Sequence, residues 1–97
     1  MINVNKELIK TSCDYFGEVD TATNATEECA ELIQCVSKQL RGTENRSHME
    51  EEIADVLIAV SNLHYIYDLD DTKIQAWINL KQNRQMSRIE RRTTTNG

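Results

Sequence analysis

Apolar residues recur along this chain at three- and four-residue spacings, the period of a helix face, and no stretch alternates as a half-buried strand would. No proline interrupts the pattern. Four helical segments are predicted. The first runs from about Asn3 to Phe16, carries Leu8, Ile9 and Cys13, and stops at Gly17, a residue suited to a C-cap. The second starts between Thr21 and Asn24, where Thr and Asn side chains can cap, and runs to Arg41 before Gly42. A polar connection, GTENRSH, leads to a third segment from near Ser47 to Tyr67, with Ser47 and Glu50 in capping-box spacing. The acids of DLDD supply caps for a fourth, Thr72 to Arg91. The closing RRTTTNG is polar. The expected fold is all-α, an antiparallel four-helix bundle: one helical domain over residues 1–91 and a disordered tail over 92–97.

Carboxylates lie along an otherwise apolar helix in TEECAELIQ, residues 26–34. At about 100° per residue, Glu28 and Glu31 share a face beside a predicted apolar stripe of Cys29, Leu32, Ile33 and Val36. Sliding the second segment by 24 positions lays EECAELIQCVSKQL over EEIADVLIAVSNLH. Glu27 then meets Glu51, Glu28 meets Glu52, and Glu31 meets Asp55. If the two helices pack antiparallel through these faces, as a short connection favours, Glu28, Glu31, Glu52 and Asp55 converge. A solvated acidic face commonly carries Lys or Arg four residues after its acids. Here Leu32, Cys35, Val56 and Ala59 occupy those places. Like charges gathered in a partly apolar setting resist ionisation without a cation among them, and an all-oxygen set suits Mg2+ or Mn2+. A solvated acidic face, and a helix-capping role for Glu27 and Glu51, are the competing readings. A di-iron bundle is a poor fit, since neither His48 nor His64 follows one of these acids by three. DLDDTKIQAW lacks the glycine and later glutamate of a calcium loop.

Composition narrows the function. Length fits one small domain, and 39% hydrophobic with 5% aromatic residues implies a thin aliphatic core that gains from a second subunit, so a homo-dimer or homo-tetramer is expected. A net charge of −5 argues against general nucleic-acid or anionic-membrane binding. The start MINVNKELIK has no apolar signal core and no later run reaches membrane-span length, so a cytoplasmic protein is expected. Cys13, Cys29 and Cys35 form no C-x-x-C pair and read as buried thiols.

EECAELIQCVSKQLRG followed by EEIADVLIAVSNL resembles the signature of the MazG-like, all-α nucleoside triphosphate pyrophosphohydrolases, E-x-x-E, a spacer, then E-x-x-D. The resemblance spans about residues 15–90. It implies an oligomeric helical bundle that binds Mg2+, with Mn2+ as a substitute, and splits a nucleoside triphosphate into monophosphate and pyrophosphate. Glu28, Glu31, Glu52 and Asp55 match the metal ligands, and Glu27 and Glu51 match the extra acids beside them. A triphosphate would be repelled by bare carboxylates, so metal must bridge the two. Water activated by the metal is the natural nucleophile, with Glu27, Glu28 and Glu51 the candidates for its base. Phosphate also needs side-chain cations. Lys81, Arg84 and Arg88 share a helix face at spacings of three and four, and similar proteins carry K-x-x-R there. Lys38 and Arg41 are weaker candidates, since cations near a helix C-terminus also favour its dipole.

One departure concerns specificity. Similar proteins often read G-x-x-x-Q before the paired acids, whereas GEVDT puts Thr21 in the glutamine's place, and the base-binding residues stay unassigned. Tyr15, Phe16 and Trp77 are expected in packing rather than base stacking, and His64 as a satisfied structural histidine. A phosphoribosyl-ATP pyrophosphohydrolase, a dUTPase-like enzyme and a non-catalytic helical interaction module are the alternative functions.

Overall fold

Asn5 starts the first helix: its side-chain oxygen accepts from the backbone N–H groups of Glu7 and Leu8 at 3.0 and 3.1 Å, satisfying donors that a helix start leaves free. The computed structural model describes residues 2–96, with side chains through Thr93. Its elements are α1 (Lys6–Leu40), α2 (Arg46–Ile66) and α3 (Asp71–Asn96), with no strand among the described residues.

The chain is all-α as expected, but the helices are divided differently. The first two predicted helices are the two arms of α1, which meet at Gly17 (φ 81°, ψ 177°). That backbone conformation is essentially restricted to glycine. The second arm resumes directly after Gly17, so Thr21 is a buried helix residue, 6% exposed, rather than a cap. Asn45 occupies the N-cap of α2 without a side-chain capping bond, and Ser47 lies one residue inside the helix. Asn45 instead turns back, donating from Nδ2 to the Cys35 carbonyl at 3.1 Å and fastening the connection to α1. Asp70 does cap α3, its Oδ1 accepting from the Thr72 N–H at 2.8 Å. The helix then continues to Asn96, past Arg91, through most of the tail expected to be disordered; Gly97 lies outside the described residues.

The second arm of α1 packs on α2. Cys35 meets Asn45 near the connection, while Glu28 and Glu31 meet Asp55 and Glu52 further from it, an antiparallel order. The first arm rests against the later part of α2, where the Tyr65 hydroxyl donates to Asp14 at 2.8 Å. The buried side chains are few and mostly small: Ile9, Cys13, Thr21, Ala25 and Cys35 from α1, Glu52 and Ala59 from α2. The inward face of the second arm is Thr21, Ala25, Glu28, Leu32 and Cys35, so Glu28 lies within it and not at its edge. The predicted stripe of Cys29, Ile33 and Val36 is instead exposed, with only Leu32 half-buried. Cys29 is correspondingly an exposed thiol, while Cys13 and Cys35 are buried.

Among the described residues no four-helix bundle forms within one chain. α3 packs against neither α1 nor α2, and every residue from Asp71 to Thr93 is exposed. Its start is held by the His64 Nε2 to Asp71 Oδ1 contact at 2.6 Å, which satisfies His64 as expected. The radius of gyration, 17.2 Å, exceeds the roughly 13 Å of a compact domain of this length. Tyr15, Phe16 and Trp77, expected in packing, are 81%, 57% and 58% exposed.

Candidate functional site

Antiparallel packing brings the two acid pairs face to face. Glu28 and Glu31 come from one turn of α1, Glu52 and Asp55 from one turn of α2, and one carboxylate oxygen of each lies within 4.8 Å of all the others. No Lys or Arg is paired with any of the four among the described salt bridges. Burial is graded, from Glu52 at 5% exposed, through the half-buried Glu28 and Asp55, to the exposed Glu31.

The electrostatics follow. Withdrawal from water pushes the Glu28 carboxyl above its usual range, reinforced by the charges of Glu31 and Asp55. Glu31 is raised chiefly by the charge of Glu52, then by partial desolvation, with Asp55 and Glu27 adding to it. Two oxygens stand out: Glu28 Oε2 and Glu52 Oε2 are buried and have no hydrogen-bond partner. Buried polar atoms without partners are rare and costly. Four hard oxygen donors with two such orphaned atoms fit a divalent cation of the Mg2+ or Mn2+ kind.

The rest of the predicted site is distributed unevenly. Glu27 and Glu51 are exposed, each adjacent in sequence to a cluster member, and the charge of Glu27 acts on Glu31. Lys38 is exposed in the last turn of α1, and the Arg41 guanidinium donates to Ser37 Oγ at 2.8 Å. Lys81, Arg84 and Arg88 are exposed on α3, which beyond the Asp71 contact with His64 packs on neither helix of the acid cluster; Lys81 Nζ lies 5.9 Å from the Trp77 ring centroid.

Two residues touch the cluster in roles the sequence did not suggest: His48, set aside as an iron ligand, and Asn24, expected near a helix cap but lying inside α1. His48 Nε2 lies 2.9 Å from Glu52 Oε1, and Asn24 Nδ2 lies 3.4 Å from Glu28 Oε1. The 24-residue repeat that relates Glu28 to Glu52 also relates Asn24 to His48, a signal present in the sequence but carried by unlike residues.

Neither a curated protein nor a solved structure matches the chain. A family model described as the MazG nucleotide pyrophosphohydrolase domain matches residues 16–90. That match includes the kink at Gly17, both acid pairs and most of α3, and the chain therefore belongs to the MazG nucleotide pyrophosphohydrolase family.

Proposed function

We propose that the chain is a Mg2+-dependent nucleoside triphosphate pyrophosphohydrolase that releases nucleoside monophosphate and pyrophosphate and serves to clean the cytoplasmic nucleotide pool. The observation that carries this reading is the four-carboxylate cluster with two buried oxygens lacking partners. Glu28, Glu31, Glu52 and Asp55 would hold the ion, with Mn2+ as a substitute. An ion bound there would neutralise phosphate charge and lower the pKa of water. The residues around it orient the triphosphate and move a proton. Glu27, Glu28 and Glu51 are the acids at hand to accept it, and the two exposed ones, Glu27 and Glu51, are open to solvent-borne substrate.

The site needs cations that one chain holds at a distance. Residues 71–97 contain six Lys and Arg against two Asp and Glu, net +4, whereas residues 1–70 contain five against fourteen, net −9. A basic helix without packing partners and an acidic two-helix body with an exposed apolar face are complementary surfaces. In this reading the four-helix bundle is completed between copies, in a homo-dimer or homo-tetramer. Lys81, Arg84 and Arg88 then supply phosphate contacts, with Lys38 a further candidate.

Glu31→Gln and Asp55→Asn test the assignment. Both should lose Mg2+ binding and turnover while remaining folded. A helical interaction module would keep its partner binding in both variants and show no metal requirement.

A further inference from the structure

We propose that Asn24 and His48 are matched positioning residues, each fixing one oxygen of a repeat-related glutamate so that the other oxygen faces the metal. This inference rests on the metal-site reading above. Its basis is a correspondence between two helices. Glu28 and Glu52 occupy equivalent places in the 24-residue repeat, and one turn before each stands a side chain with an N–H to donate: Asn24 and His48.

The arrangement is parallel on the two sides, with a longer contact on the Asn24 side. Asn24 Nδ2 reaches Glu28 Oε1 at 3.4 Å, and His48 Nε2 reaches Glu52 Oε1 at 2.9 Å. In each glutamate the second oxygen, Oε2, is buried and unpartnered. Glu52 belongs to the acid cluster and is 5% exposed, and its free oxygen is a buried polar atom. An ionised carboxylate only accepts hydrogen bonds, so toward ionised Glu52 the His48 ring is the donor, from Nε2. Holding Oε1 restricts rotation of the carboxylate and sets the direction of Oε2, the role that outer partners play for metal ligands.

The second acid of each pair lacks this support. Glu31 has Glu27 four residues before it, and Asp55 has Glu51. Donors therefore stand behind the first acid of each motif and like charges behind the second. That pattern is selective; a general scatter of polar residues along a wet helix face would not produce it. Glu28 and Glu52 form the anchored half of the ligand set, one from each helix, and Glu31 and Asp55 the half free to adjust to ion and phosphate.

Both positioning residues can be replaced without disturbing the core, since Asn24 is exposed and the His48 side chain is 51% exposed. The test titrates metal-free protein with Mn2+ alone, without nucleotide, and reads free Mn2+ by electron paramagnetic resonance, with thermal melting in chelator run in parallel. His48→Ala should raise the Mn2+ dissociation constant by about tenfold or more. Asn24→Ala should raise it less, through its longer bond, and the double variant more than either. His48→Gln, whose amide can still donate, should return to within about threefold of the parent. If His48→Ala and Asn24→Ala both bind Mn2+ within about twofold of the parent, the positioning role is overturned and the metal site stands. A change in melting temperature with unchanged Mn2+ affinity overturns it equally. If the parent itself binds no Mn2+, the metal-site reading fails and this inference fails with it.

Discussion

Replacing Glu52 by glutamine should stabilise the metal-free protein. Glu52 is 5% exposed, its Oε1 engages His48, its Oε2 is buried without a partner, and its carboxylate clusters with three others. In Glu52→Gln the amide oxygen can keep the His48 contact while the amide nitrogen takes the place of Oε2. There it can donate to a neighbouring carboxylate oxygen within the 4.8 Å cluster, converting a repulsive contact into a hydrogen bond. Relieving one buried, unsatisfied polar atom is worth about 1–3 kcal/mol. Each kcal/mol moves the melting midpoint of a domain this size by about 4–8 °C, so a rise of at least about 4 °C is expected. Melting followed by circular dichroism in EDTA at pH 7, at fixed protein concentration, measures it. Metal should reverse the order. At a hundredfold excess over its dissociation constant the ion stabilises the parent by about 2.7 kcal/mol, and the variant, short of one ligand, gains less. A metal-free variant that melts below the parent would refute the reasoning, because Glu52 would then be satisfied by its surroundings and not strained by them.

Gly17→Ala should cost about 1–3 kcal/mol, read as a lower denaturation midpoint. Its added methyl would meet no atom within 4 Å, so any loss reports backbone strain alone. The pH response of the metal-free protein follows from Glu28 and Glu31, both raised above the ordinary 4.5. A group with a raised folded value binds more protons folded than unfolded. Its contribution is therefore complete below about pH 4.5 and is lost as pH climbs through the folded value. Urea melts at stepped pH should show the parent falling relative to Glu31→Gln over that window, and parallel curves would contradict the repulsion. Ile74→Glu with Ile78→Glu, on the exposed face of α3, should shift sedimentation toward monomer, whereas an unchanged oligomer would exclude that face from the subunit contact.

Much of the site was legible because it is built from local repetition. The spacing of Glu28 to Glu31 and Glu52 to Asp55, read twice at the same offset, was enough to predict their convergence, and the antiparallel α1 and α2 bring them within 4.8 Å. The helical class was equally plain from periodicity, as was the acidic cap at Asp70. What escaped is tertiary. Gly17 marks a break in the helix, but nothing local says whether it ends an element or bends one. Cys29, Ile33 and Val36 looked like core because they are apolar at helical spacing, yet the neighbouring face, with Thr21, Ala25 and Cys35, is the one that meets α2. Apolar patterning identifies a face that avoids water and not the element that covers it. The same ambiguity explains α3, whose Ile74, Trp77 and Ile78 have the periodicity of a packed helix and meet no other helix of their own chain. The contacts of His48 and Asn24 with the cluster escaped for a different reason. Their relation to Glu52 and Glu28 appears only when the repeat is compared by donor chemistry, since the residues differ.

The most direct measurement resolves the products formed from a panel of ribo- and deoxyribonucleoside triphosphates, with and without Mg2+, by anion exchange. Nucleoside monophosphate and pyrophosphate in equal amounts, released only with the ion and not by Asp55→Asn, is the expected result. Nucleoside diphosphate with orthophosphate would contradict the pyrophosphohydrolase reading, and release that persists in chelator would contradict a carboxylate-held metal as the centre of the reaction.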